Sequence, residues 1–158
     1  MSAELQQRVE RLFFDYADTL DQKRFSDWPV FFTPEACDYR IVSRENFDAN
    51  LPAPLMGCYT HGMVKDRVAM LIADSLTYQK TNQRRYVSNV RVDRRDDGTI
   101  EARSNLLVMQ CDFEGNLSTY MVGRCEDVIV ERGEGLTFNR RTVIVDSFSI
   151  DNVLAVPL

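Results

Sequence analysis

The chain has 158 residues, 44% apolar and 27% charged, and a net charge of −5. That length fits one domain over residues 1–158, built around a single core. The acidic balance argues against a nucleic-acid binder, which needs a basic footprint, and no apolar run approaches the roughly 20 residues of a membrane-spanning helix.

The start, Met1-Ser2-Ala3-Glu4-Leu5, has neither the basic region nor the apolar stretch of a signal peptide, so a cytoplasmic location is expected. Of the 19 basic residues only three are lysine (Lys23, Lys65, Lys80) and the rest arginine. Arginine is enriched at protein interfaces and lysine depleted there, although genomic codon bias produces the same imbalance. Four cysteines (Cys37, Cys58, Cys111, Cys125) form no C-x-x-C pair. Buried free thiols are therefore expected, rather than a zinc or iron–sulfur site.

Leu5, Val9, Leu12, Phe13, Tyr16, Ala17 and Leu20 recur at three- and four-residue steps, which predicts an amphipathic first helix. A second, shorter helix is expected from Ser26-Asp27, capped by Ser26, with Pro29 in its first turn. Its aromatic residues Phe25, Trp28, Phe31 and Phe32 suit a hydrophobic plug. Thr33-Pro34 ends it. Cys37, Tyr39 and Ile41 alternate with Asp38 and Arg40, which predicts a strand over residues 36–42. Residues 43–60, with Pro52, Pro54 and Gly57, read as an irregular excursion. A third helix is expected over about His61–Leu76, with Val64, Val68, Leu71 and Ile72 on its buried face. Residues 79–83 read as a polar connection.

Residues 84–145 predict four long strands joined by turns at Asp96-Asp97-Gly98, Glu114-Gly115-Asn116 and Gly133-Glu134-Gly135. Strands this long must twist and curve, usually through bulges. The sheet should therefore bend over the helices as a half-open cone of the α+β class. Tyr86, Val90 and Val92 are expected on one face of the first of these strands. Leu107, Met109 and Phe113 share one face of the second, with Leu106 and Val108 on the other. Apolar residues on both faces imply a cover on each side, the helices on one and a partner subunit on the other.

The only histidine is His61. A facial-triad iron site needs two imidazoles and a Rieske cluster needs two, so His61 reads as a helix-start or surface residue. Acid–base chemistry inside the cone is an alternative, with Asp15, Asp18, Asp38, Tyr39, Tyr86 and Tyr120 as residues to line it; no spacing singles out a pair. Adjacent strand residues point to opposite faces. Each of the pairs Arg84-Arg85, Arg94-Arg95 and Arg140-Arg141 therefore sends one guanidinium to each side, and Arg124 shares a face with Glu126. These arginines read either as ordinary cross-strand ion pairs or as interface residues.

The same residues carry a family resemblance. Trp28 followed by Phe31-Phe32-Thr33-Pro34-Glu35-Ala36-Cys37-Asp38-Tyr39-Arg40-Ile41 resembles the pattern W-x-x-x-F-T-x-x-A-x-Y-x-I. Arg67-Val68, Arg85-Tyr86-Val87-Ser88-Asn89-Val90, Gly123-Arg124-Cys125-Glu126-Asp127 and Val145-Asp146-Ser147 resemble further segments in the same order. The family is the small (β) subunit of Rieske non-haem iron aromatic-ring hydroxylases. Residues 40–55 look similar to small subunits of salicylate 5-hydroxylase, and Ala155-Val156-Pro157-Leu158 to that of terephthalate dioxygenase. Tyr86 stands where many members have histidine, and the long N-terminal arm of the biphenyl and naphthalene types is missing.

The resemblance implies the cystatin-like cone shared by nuclear transport factor 2 and ketosteroid isomerase. It implies a non-catalytic structural subunit, three copies of which sit as a trimer beneath three large α subunits in an α3β3 hexamer. The Rieske [2Fe-2S] cluster and mononuclear iron would lie in the α chain, fed by a reductase or ferredoxin. This chain would hold no cofactor or metal. Arg84, Arg85, Asn89, Arg124 and Arg141 are the candidate interface residues, and the substrate would be an aromatic, carboxylated ring. The alternatives are a free-standing isomerase or dehydratase and a small-ligand-binding protein of the same fold.

Overall fold

The computed structural model describes residues 3–74, 80–151 and 153–158. Helix α1 (Ala3–Asp21) buries the predicted stripe of Leu5, Val9, Leu12, Phe13, Tyr16, Ala17 and Leu20. Next comes a 3-10 helix, Phe25–Phe31, rather than the expected α-helix capped by Ser26. Pro29 is the fifth residue of this segment, so its missing N–H is the one an α-helix would bond to Phe25. Arg24, not Ser26, occupies the cap position without a side-chain bond.

Strand β1 (Asp38–Ser43) leads directly into helix α2 (Arg44–Asp48), where the Ser43 hydroxyl accepts a hydrogen bond from the Asn46 amide. Strand β2 (Met56–Cys58) folds back antiparallel on β1. Both short elements fall in the stretch expected to be irregular; five and three residues are too few to display a period. Helix α3 (His61–Ile72) begins at Thr60, whose hydroxyl accepts from the Met63 amide. Val64, Val68 and Leu71 are buried as expected, but Ile72 is 61% exposed, because one residue beyond Leu71 rotates it off the stripe. The expected helix end at Leu76 and the start of the connection at Gln79 lie outside the described residues. Thr81–Gln83, read as part of that connection, already belong to strand β3 (Thr81–Arg94).

Strands β3, β4 (Ile100–Asp112), β5 (Leu117–Arg132) and β6 (Gly135–Val145) form the expected meander. Its three turns carry Gly98, Gly115 and Gly133 at positive φ, where a Cβ would be strained. The sheet order is β2-β1-β6-β5-β4-β3, with β1 parallel to β6 and every other pair antiparallel. Each hairpin of the meander has one break in register, and these bulges supply the curvature.

The first bulge corrects an expectation. Ser88 pairs with Asn105, yet Arg91 pairs with Arg103, so β3 carries one extra residue, and Asn89 takes a left-handed φ of 53° there. The extra residue reverses which side chains face inward. Val92 is therefore buried, while Tyr86 is 52% exposed on the opposite side.

The core lies between the concave face of the sheet and α1, the 3-10 helix and α3. Trp28, Phe32 and Tyr39 meet edge to face at centroid distances of 5.2, 5.3 and 5.8 Å. Each of the three is almost wholly buried. Of the four expected plug residues, Trp28 and Phe32 lie in the core, and Phe25 and Phe31 pack against it partly buried. No helix among the described residues is long and apolar enough to cross a membrane.

Candidate assembly surface and the filled cone

The concave face contains a charged pair at its centre. Asp127 on β5 lies opposite Arg141 on β6. Arg141 Nη1 donates to Asp127 Oδ2 at 2.9 Å, with both side chains at most 1% exposed. Three rings surround the guanidinium, with Tyr16, Phe138 and Phe13 centroids 4.5, 4.8 and 5.3 Å from Cζ. Burial pushes the Asp127 carboxyl up to about 7, against the pull of Arg141. Burial also works against the arginine's charge, but Asp127 and the neighbouring Cys125, Tyr16 and Tyr39 hold its pKa above the ordinary arginine value. Burial pushes the Cys125 thiol up to about 11.

A second buried arginine closes the mouth of the cone. Arg85 Nη1 donates to Asp21 Oδ1 at 2.6 Å, and its amide to Asp21 Oδ2 at 3.0 Å. Arg85 Nη2 donates to the Pro157 carbonyl at 2.6 Å and to Gln83 Oε1 at 3.1 Å. Burial raises the pKa values of Tyr16 and Tyr39, so both remain protonated phenols. Among the described residues, an interior filled by rings, an ion pair and the end of the chain leaves no enzyme-like pocket at its centre.

The residues proposed to line such a pocket do not converge. Asp18 binds Arg24 on the surface of α1 at 2.8 Å, and Asp15 is exposed on the same helix. Asp38 pairs with Arg40 at 2.7 Å. Tyr39 is in the core and Tyr86 is outside the sheet. Tyr120 borders a cleft of about 180 Å³, where its hydroxyl donates to the Val153 carbonyl at 3.4 Å, whereas Asp18 and Tyr86 border a separate open groove and Asp38 a third.

The convex face of the sheet is polar at one end and apolar at the other. Arg91, Asp93, Glu101, Arg103, Glu126 and Arg140 line a shallow groove of about 300 Å³. Beyond it, Tyr86, Leu107 and Val122 stand side by side on three strands, an apolar row with Tyr86 and Val122 largely exposed. Between the two, Arg124 Nε binds Glu126 at 3.3 Å and its guanidinium lies 5.3 Å from the Phe47 ring of α2.

Of the five candidate interface residues, the structure leaves Arg84, Asn89 and Arg124 wholly or partly at the surface. It places Arg85 and Arg141 inside the protomer, each side chain 1% exposed and bound to its own chain. This corrects their place among surface residues. The expected split accounts for it in two of the three pairs, where Arg84 and Arg140 took the outer side and their neighbours were left to the core. Arg94 and Arg95 both stay exposed, because β3 ends at Arg94.

The motif Gly123-Arg124-Cys125-Glu126-Asp127 now has a physical reading. Its odd-numbered residues face inward and its even-numbered ones outward. Gly123 allows β6 to approach closely, since a Cβ there would lie 2.1 Å from the Ile144 carbonyl oxygen. Sequence reading missed Asp127 and Asp21 as anchors; Asp127 shares strand β5 with Arg124, whereas Asp21, the last residue of α1, carried no signal.

His61 stands at the start of α3 with Nε2 3.0 Å from the Pro29 carbonyl. Cys37, Cys58 and Cys125 are buried free thiols and Cys111 is half-buried. Among the described residues, no group of three or more His, Cys, Asp or Glu is placed to hold a metal ion. One imidazole does not fit the donor set of either a Rieske cluster or a facial-triad iron.

Comparison with known proteins agrees with this geometry. The family model for the ring hydroxylating beta subunit matches residues 15–152. The chain is 33% identical over 143 residues to the anthranilate 1,2-dioxygenase small subunit of Burkholderia cepacia, covering 90% of this chain and 88% of that one. It is 24% identical over 143 residues to the beta 2 subunit of the terminal oxygenase component of terephthalate 1,2-dioxygenase from Comamonas sp., covering 90% and 92%. The solved structure of a chain assigned as the beta subunit of an aromatic-ring-hydroxylating dioxygenase from Novosphingobium aromaticivorans superposes with a TM-score of 0.87. Identity to it is 27%, covering 98% of this chain and 97% of that one.

Proposed function

The chain belongs to the ring-hydroxylating beta subunit family, and from that premise we propose that it is the non-catalytic, structural subunit of an oxygenase acting on an aromatic carboxylic acid. Three copies assemble as a trimer that carries three large subunits in an α3β3 hexamer. The large subunit holds the Rieske cluster and the mononuclear iron, and a reductase or ferredoxin supplies its electrons. The aromatic-acid substrate rests on the relatives, whose names specify anthranilate and terephthalate.

The observation that carries the structural role is the filled cone. Arg141, Asp127, Arg85 and the aromatic cluster occupy the concave side, which in an isomerase or dehydratase of this shape must stay open for substrate. The convex face keeps its apolar row and its arginines exposed, and these are the groups a partner surface would cover.

The test is co-expression with the large subunit of the same organism, followed by measurement of mass and iron content. A stable mixed hexamer with iron only in the large subunit is expected. A homodimer that turns over a small substrate without partner or metal would overturn the reading.

A further inference from the structure

Residues 153–158 are held in a way that differs from the rest of the fold. Among the described residues, the only backbone–backbone hydrogen bond of this segment is internal, from the Ala155 amide to the Val153 carbonyl. It adds no strand to the sheet. Instead, side chains from four elements converge on its main chain. Tyr16 of α1 donates to the Leu158 carbonyl at 2.9 Å. Tyr39 of β1 accepts from the Leu158 amide at 2.8 Å and donates to the same residue's carbonyl at 3.2 Å. Arg85 of β3 donates to the Pro157 carbonyl, and Tyr120 of β5 to that of Val153.

Each contact reads a peptide group, and one reads both groups of a single residue. The apolar component is equally defined. Ala155 and Leu158 are buried, and Leu158 belongs to the central cluster with Trp28, Phe32 and Tyr39. Ala155 and Val156 form one wall of the cleft that also borders Leu20, Gln83 and Tyr120, so the site adjoins an opening to the surface.

We propose that the cone is a peptide-binding site whose resident ligand is segment 153–158 of the same chain. Its chemistry suits a short peptide carrying a branched apolar side chain, read by three phenols and a guanidinium and anchored by one side-chain pocket. This goes beyond the structural role above and does not depend on the large subunit.

Two measurements test it. The first is hydrogen exchange on the full chain and its Tyr39→Phe variant, which removes the hydroxyl that both gives and takes a hydrogen bond. The Leu158 amide should exchange at least tenfold faster in the variant, with amides of β4 and β5 unchanged. A Leu158 amide unaffected by the substitution, or a uniform rise across the sheet, would overturn the proposal. The second uses a chain ended at Val153 and the probe acetyl-Ala-Val-Pro-Leu. Saturable binding that restores the thermal midpoint is expected, with no response to acetyl-Ala-Val-Pro-Asp. Equal response to both peptides, or a shortened chain as stable as the full one, would also overturn it; if the shortened chain does not fold, the exchange measurement decides alone.

Discussion

Arg141 reaches across from β6 to Asp127 on β5 with 2.9 Å between Nη1 and Oδ2, both side chains sealed from water under three aromatic rings. A buried pair of this kind does more harm when halved than when removed. Arg141→Met leaves a buried acid without the guanidinium that holds it down and bonds it, and should cost about 1–3 kcal/mol in urea unfolding. The double variant Asp127→Leu/Arg141→Leu should recover most of that loss. Single and double variants of equal stability would show that the pair is not coupled.

Asp127 also sets a pH dependence. A buried acid with a folded-state pKa of about 7 holds its proton more tightly when folded than when unfolded, where the value is near 3.8. Its stabilising contribution is complete below the unfolded value and is lost as pH rises through the folded one. Surface carboxylates act in the opposite sense. Asp18 is held low by the hydrogen bond from Arg24, and Glu131 by those from Arg94 and Arg8, so both weaken the fold as acid is added. Comparison with Asp127→Asn isolates the buried group. The wild-type thermal midpoint should fall relative to the variant between pH 4 and about 7.5; a relative rise would contradict the assignment.

Gly123→Ala should destabilise the sheet. The added methyl meets the Ile144 carbonyl oxygen at 2.1 Å, a backbone atom that cannot swing away. A cost of about 1–3 kcal/mol or more is expected for such overpacking. Gly98→Ala makes a useful contrast, because there the penalty comes from a positive φ in open space.

The thiols should be unreactive in the folded state. Burial lifts Cys37 and Cys125 to about 11 and raises Cys58 as well. Iodoacetamide at pH 7.5 should therefore label Cys111 at most, and the other three only after unfolding. Rapid labelling of Cys125 in the native chain would show that the cone opens.

Arg84→Glu on the convex side should disturb assembly without disturbing the fold. Its side chain is exposed, so the change in protomer stability should stay within about 0.5 kcal/mol. Weakened association with the large subunit at an unchanged midpoint is the expected outcome. Unaltered assembly would remove Arg84 from the interface.

Periodicity made the large elements legible. The seven-residue stripe of α1 and the three glycine turns of the meander matched the structure because each repeats over many residues. What stayed hidden depends on single residues. From the Gly133 turn, Arg132 pairs with Gly135 and Val130 with Thr137, a count that would set Asp127 opposite Arg140. The extra residue Asn139 shifts the register and brings Arg141 there instead, turning an outward arginine into a core one. Asn89 likewise moves Val92 inside while Tyr86 stays out. A bulge leaves no compositional trace, so the alternation of the arginine pairs could be foreseen but not the partner of each.

The parallel pairing of β1 with β6 sets a timetable for the nascent chain. Asp38 meets Arg140 and Ser43 meets Val145, across roughly a hundred intervening residues, whereas every meander strand pairs with a neighbour in sequence. During synthesis, Trp28, Phe32 and Tyr39 emerge early but lack their cover, Phe138 and Val143, until nearly the whole chain has left the ribosome. For most of its translation this chain therefore leaves its most aromatic segment without the strand that covers it in the finished fold.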